Sequence, residues 1–238
     1  MASTHPHELT LAIETSNPSS SQAEWNAVAI GSVEDGQLQL CANVPLRPRD
    51  RHDDALMPAV AEACRMAGVG PRDIRRLAVS VGPGGFTALR IAATTAKMIA
   101  LAHGCQCVAV PTGAAIARRV PPGCFAGGPV AVALAWKRDT VWVERFRSPR
   151  ELISAELEII HNLDFSACST LICDSRFASM IESRRGALGG LVVQEPVFDA
   201  GAVLEASATL APIDPLELGP LYPREPEAVT KWRELHGS

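Results

Sequence analysis

LAVSVGPGGFTALRIAATTAKMIALAH, Leu77 to His103, is the stretch on which the reading of the fold turns. Leu77 to Val81 is a short apolar run of the buried-strand type. Gly82-Pro83-Gly84-Gly85 follows, where proline fixes one φ and the glycines admit positive φ, so the backbone can turn sharply. Thr87 stands at the expected helix N-cap, the Ala-rich segment to His103 is the helix, and Gly104 stops it. A strand, a glycine loop and a helix in this order admit two readings. One is a tight turn that packs helix on sheet. The other is a phosphate site, because the free N–H groups and the dipole of the helix point at the loop. The loop lacks the Gly-Lys-Ser/Thr ending of a P-loop, and its glycine spacing is not that of the dinucleotide fingerprint.

The helix carries a second message. Ala88, Ala92, Ala93, Ala96 and Ala100 leave much of its surface nearly bare, and Leu89, Ile91, Met98 and Ile99 spread apolar contacts around the rest. A helix this apolar on all sides is expected to be covered on more than one side, by its own sheet and by another helix of this chain or of a second one. On that reading Ala92 or Ala96 faces outward and lets a neighbouring helix come close.

Around this stretch the chain reads as alternating strands and helices. Leu9–Glu14 is a first strand, Trp25–Ile30 a second, Asp35-Gly36 a hairpin turn and Leu38–Val44 a third strand. Asp53–Ala67 is a helix with Leu56, Val60, Cys64 and Ala67 on one stripe. With the glycine-loop unit the order is β-β-β-α-β-α, then a strand at Cys107–Val110 and a short helix from Thr112. Three meander strands followed by α/β crossovers is the pattern of a ribonuclease-H-like half-domain, which occurs in pairs in the actin-like superfold. The breaker-rich segment Pro121 to Pro129 sets a division into residues 1–113 and 114–238. In the second part strands are expected at 130–134, 141–146, 157–160, 169–173 and 191–194, with helices at 176–184 and 201–210, then a proline-rich tail.

Composition narrows the function. The 238 residues are 47% hydrophobic and 20% charged with a net charge of −4, which gives no electrostatic grip on nucleic acid or membrane. No apolar run approaches a membrane span and the first residues do not read as a signal peptide, so a cytoplasmic protein is expected. The seven cysteines, an odd number, suit reduced thiols in the same compartment. No His-x-x-x-His pair and no nucleophile–base set is present, so neither a bound metal nor a catalytic residue is expected. Glu14, at the end of the first strand, sits where actin-like ATPases keep a carboxylate for the metal-nucleotide. Glu14, Gly82, Gly84, Gly85 and Thr87 are therefore the candidate nucleotide set. The corresponding stretch of the second half, Ala133 to Lys137, has no carboxylate.

LAIETS at the start, RHDDALMPAV in the first helix, GPGGFTALRIAATTAK, Val110-Pro111-Thr112 and LYPREPEAVTKW near the end together resemble the bacterial TsaB (YeaZ) family, in family order and over nearly the whole chain. The resemblance implies an actin-like (ASKHA) fold of two halves and an accessory role in making threonylcarbamoyladenosine on tRNA. It implies a catalytic TsaD-like paralogue and a small TsaE-like ATPase as partners, dimerisation with the paralogue or with itself, contact with tRNA only through the complex, and no cofactor of its own, ATP being used by the complex. The implied interface is carried by the first-half helices: Leu56, Met57, Val60 and Cys64 on one, Ala88, Ala92, Ala96 and Ile99 on the other. The paralogue's paired histidines are absent, Leu56 standing four residues past His52. Two departures stand out: Gly85 replaces the family's usual serine, and Ala135-Trp136-Lys137-Arg138 replaces an Asp-Ala-Arg element. A free-standing actin-fold phosphotransferase using Glu14, and a peptidase, are the competing functions.

Overall fold

A computed structural model describes residues 8–17, 26–46, 52–185, 191–224 and 232. The first sheet is built from β1 (Leu9–Glu14), β2 (Ala27–Glu34), β3 (Gln37–Pro45), β4 (Ile74–Gly82) and β5 (Gln106–Pro111), in the order β3-β2-β1-β4-β5. β1 is antiparallel to β2 and parallel to β4. The period-2 alternation of β1 divides its residues between two layers. Leu9, Leu11 and Ile13 face α1 (His52–Ala67) and α2 (Phe86–His103), and pack with Leu56, Ala63, Ala92 and Ala96. Ala12, with Ala29 and Ala78 beside it, faces α5 (Ala200–Ser207). These small residues leave room for α5 to lie close on the sheet, against Ala200, Val203 and Leu204.

The second sheet contains β6 (Val130–Lys137), β7 (Thr140–Ser148), β8 (Glu151–Ile159), β9 (Thr170–Ile172) and β10 (Val192–Gln194) in the order β10-β9-β6-β7-β8. Read from its hairpin edge, this is the strand order of the first sheet again. The fold is thus mixed α/β with two five-stranded sheets, as the β-β-β-α-β-α pattern predicts. One face of the second sheet packs on Phe177 and Ile181 of α4 (Ser175–Arg185), the other on Ile116 and Ala117 of α3 (Thr112–Ala117).

Several boundaries differ from the sequence reading. The N-cap of α2 is Gly85, not Thr87, which lies exposed in the first turn. β8 begins at Glu151, six residues before the expected strand. α3 contains residue 113 and touches β4 and β5 of one sheet and β6 and β7 of the other, so the division at 113/114 falls inside a helix shared by both. α5 and residues 213–221, in the second half by chain order, pack on the first sheet. The loop at 18–25, the loop at 47–51 and the tail beyond 224, except Trp232, lie outside the described residues.

Candidate functional site

Two places deserve the name of a site: the outer face of α1 and α2, and the junction between the halves where Glu14 lies. On the helices, the structure sorts the expected interface residues into two groups. Leu56, Val60, Cys64, Ala88, Ala92 and Ala96 are buried in the chain's own interior. The reading that Ala92 or Ala96 faces outward is corrected: both are 0% exposed, because the alanine stripe is what brings α2 down onto its sheet. Met57 is exposed and Ile99 half-buried. The surface is carried instead by residues whose large side chains could not fit beneath the helix. Met98 is 63% exposed, Leu101 58%, Phe86 56%, and Met66 on α1 53%.

At the N-terminal end of α2 this surface has an ordered centre. The Phe86 ring lies 5.1 Å from that of Tyr222, and the Arg90 guanidinium stands 5.2 Å above Phe86. Tyrosine and arginine beside an exposed aromatic are residue types that concentrate binding energy in protein interfaces.

The junction is differently built. Glu14 is 0% exposed. One of its oxygens, Oε1, accepts from the Ser16 backbone N–H at 2.6 Å and from Ser16 Oγ at 2.5 Å. The other, Oε2, has no hydrogen-bond partner among the described residues. Burial pushes the carboxyl above its ordinary range, and the Ser16 bonds pull it only partly back. The glycine loop meets the same serine: Gly85 N–H donates to Ser16 O at 3.0 Å. A Cβ on Gly84 would stand 2.2 Å from Ser16 O, so glycine is needed there for close approach. Gly82 has φ 107°, in the region that favours glycine. Glu14, Gly84 and Gly85 therefore close on each other through Ser16, and Gly82 opens the loop. Thr87 is exposed.

A second carboxylate lies at this junction, and the sequence reading missed it. Glu144 on β7 is 2% exposed. Its Oε1 accepts from Trp142 Nε1 at 3.0 Å, and Oε2 has no partner among the described residues. Burial raises it to about 7. It fills the space beside Gly113 of α3, where an added Cβ would stand 1.5 Å from Oε2. The neighbouring Thr112 Oγ1 lies 3.0 Å from Ser80 Oγ on β4, which ties α3 to the first sheet. A signal was available: in Thr140-Val141-Trp142-Val143-Glu144-Arg145-Phe146 the glutamate shares parity with Trp142 and Phe146, hence their face. Among the described residues no group of three or more His, Cys, Asp or Glu could hold a metal ion. No helix among them is long and apolar enough to cross a membrane.

The class these features define is the two-half, actin-like α/β fold with a buried carboxylate at the end of its first strand. Residues 43–151 match the family described as TsaD, tRNA N6-adenosine threonylcarbamoyltransferase. Among solved structures, an uncharacterised Pseudomonas aeruginosa protein with similarity to peptidase YeaZ superposes with TM-score 0.71 at 21% identity, over 92% of this chain and 100% of the other. YeaZ from Pseudomonas aeruginosa superposes with TM-score 0.69 at 20% identity, over 91% and 100%. No curated protein matches the sequence. The chain is thus similar to YeaZ in fold over about nine-tenths of its length, and to the TsaD family in the segment 43–151 that contains α1, the glycine loop and α2.

Proposed function

We propose that this chain is the non-catalytic partner subunit in the synthesis of threonylcarbamoyladenosine on tRNA, binding a TsaD-like catalytic paralogue through the outer face of α1 and α2. A TsaE-like ATPase joins the complex, ATP is consumed there, and tRNA is met only through the assembled complex, in the cytoplasm. The same face serves a homodimer when the paralogue is absent. The observation that carries this reading is that Met57 and Met66 on α1 and Phe86, Met98 and Leu101 on α2 are exposed on two helices whose inner faces are already filled. Methionine suits such a face, because its flexible thioether packs against more than one partner.

The phosphotransferase reading has less support. Glu14 is wholly buried beneath its own loop, and the loop's Gly85 N–H is given to Ser16 rather than held open. The test is co-purification with the paralogue from the same source, followed by tRNA modification with and without this chain. Met98→Glu is expected to leave the lone chain folded and to abolish capture of the paralogue, since a carboxylate buried in an apolar contact goes unpaired. Normal capture by both Met98→Glu and Met57→Glu would place the interface elsewhere. Steady ATP turnover that vanishes in Glu14→Ala would restore the competing reading.

A further inference from the structure

Residues 213–224 leave α5, run back over the first half and end in the second. Ile213 bridges to Cys107 on β5, its N–H donating to Cys107 O at 2.8 Å. Lys97 Nζ on α2 donates to Leu216 O at 3.0 Å, and Leu218 is wholly buried in the core beneath α1 and α2. Leu221 N–H donates to Val81 O at 2.7 Å, just before the glycine loop. Tyr222 then lies against Phe86. Two residues further, Arg224 is held entirely by the β6–β7 turn. Its Nε donates to Thr140 Oγ1, and its Nη2 to the carbonyls of Ala135 and Thr140, each at 2.7 Å. Between Leu221 and Arg224 the chain thus passes from a bond with one half to three bonds with the other, and the residue between those anchors that faces outward is the tyrosine.

We infer that residues 213–224 are a strap through which the second half holds the exposed Phe86–Tyr222–Arg90 cluster in its binding arrangement, with Arg224 as the positioning residue. The inference rests on the partner-subunit reading above and names the part of that surface which depends on the second half. A ring fixed before contact loses less freedom on binding than one held at a single end. A forked guanidinium on two carbonyls and a hydroxyl is a directional anchor that lysine cannot reproduce.

The full chain is measured against the purified paralogue as wild type, Arg224→Gln, Tyr222→Ala and the double variant. Each single change is expected to weaken binding roughly tenfold, as interface anchors do. The double variant is expected to bind no more weakly than Tyr222→Ala, since Arg224 acts through the tyrosine. Wild-type affinity in Arg224→Gln, or losses that multiply in the double variant, would overturn the inference. A second measurement needs no partner. Tyr222 is the one tyrosine of the chain, so selective labelling gives a single ring signal in the lone protein. Its cross-relaxation with the Phe86 ring is expected in wild type and lost in Arg224→Gln; persistence there overturns the strap even if affinity falls. Should wild type fail to bind the paralogue, the functional proposal fails, and the ring signal still decides the strap. Should Arg224→Gln not fold, Arg224→Lys is read in the same two assays.

Discussion

The two halves repeat one strand order and finish it differently. The first sheet is covered on both faces, by α1 and α2 outside and by α3 and α5 inside. The second has strands of three residues at β9 and β10, one α-helix of its own outside among the described residues, and a β8 whose Leu152 and Leu157 remain exposed. Each half turns one buried glutamate toward the junction. Glu14 is held by two bonds from Ser16, and Glu144 by a single bond from an indole. A shared topology therefore does not imply a shared task. The first half concentrates outward apolar surface on helices, while the second supplies α3's other neighbour, α5 and the strap. Its own carboxyl is the less well satisfied of the two.

The largest expected effect follows from the inner face of α2. Ala96→Glu is expected to destroy the cooperative thermal transition, because a carboxylate placed at a 0% exposed position has no partner. A folded Ala96→Glu chain would mean that the two faces of α2 differ less than their burial indicates. Next comes the contact between the halves. Gly113→Ala is expected to cost about 3 kcal/mol, since the new methyl overlaps Glu144 and the packed junction must shift. Denaturant unfolding measures it, and Glu144→Ala in the same chain should recover most of the loss.

Glu144 also predicts a pH dependence of definite sign. Its carboxyl is raised from 4.5 to about 7, so the folded chain holds a proton that the unfolded chain releases. Stability is then lost as pH climbs from 4.5 toward 7 and is level above that, by up to about 3 kcal/mol. Glu144→Gln is expected to flatten this slope and not to abolish it, because Glu14 is shifted in the same direction. An unchanged slope in Glu144→Gln would show that the second half's carboxyl is not the weaker member of the pair. The smallest effect belongs to the outer face: Met98→Glu should change the stability of the lone chain by about 0.5 kcal/mol or less, as exposed substitutions do.

Much of the first half was legible because its signals are local. Leu77 to His103 announces strand, turn and helix within one window, and Asp35-Gly36 marks the hairpin; its residues take φ 50° and 77°. The cap of α2 was not legible. Its decisive contact is with Ser16, far away in sequence, and a threonine at position 87 is a better local signal than a glycine at 85. The orientation of the alanine stripe was misread for a related reason: apolar period says which residues share a face, not which of two faces a sheet will cover. Glu144 escaped notice because a glutamate in an alternating strand ordinarily faces water, and only its parity with Trp142 and Phe146 argued otherwise. The placement of α5 left no trace in Ala-Gly-Ala-Val-Leu, which suits either sheet equally well.

The return of the chain to its starting half has a consequence for synthesis. Leu218 fills the core beneath α1 and α2, and Ala200, Val203 and Leu204 cover the inner face of the first sheet. On the ribosome the first half is made first, yet these covers emerge only after the strands of the second sheet. Until then only α3 covers its inner face of Ala12, Ala29 and Ala78, and a nascent chain in that state offers apolar surface to chaperones. Closure of the first half is thus timed by synthesis of the second, so a message cut short before α5 yields not a free first half but an unfinished one.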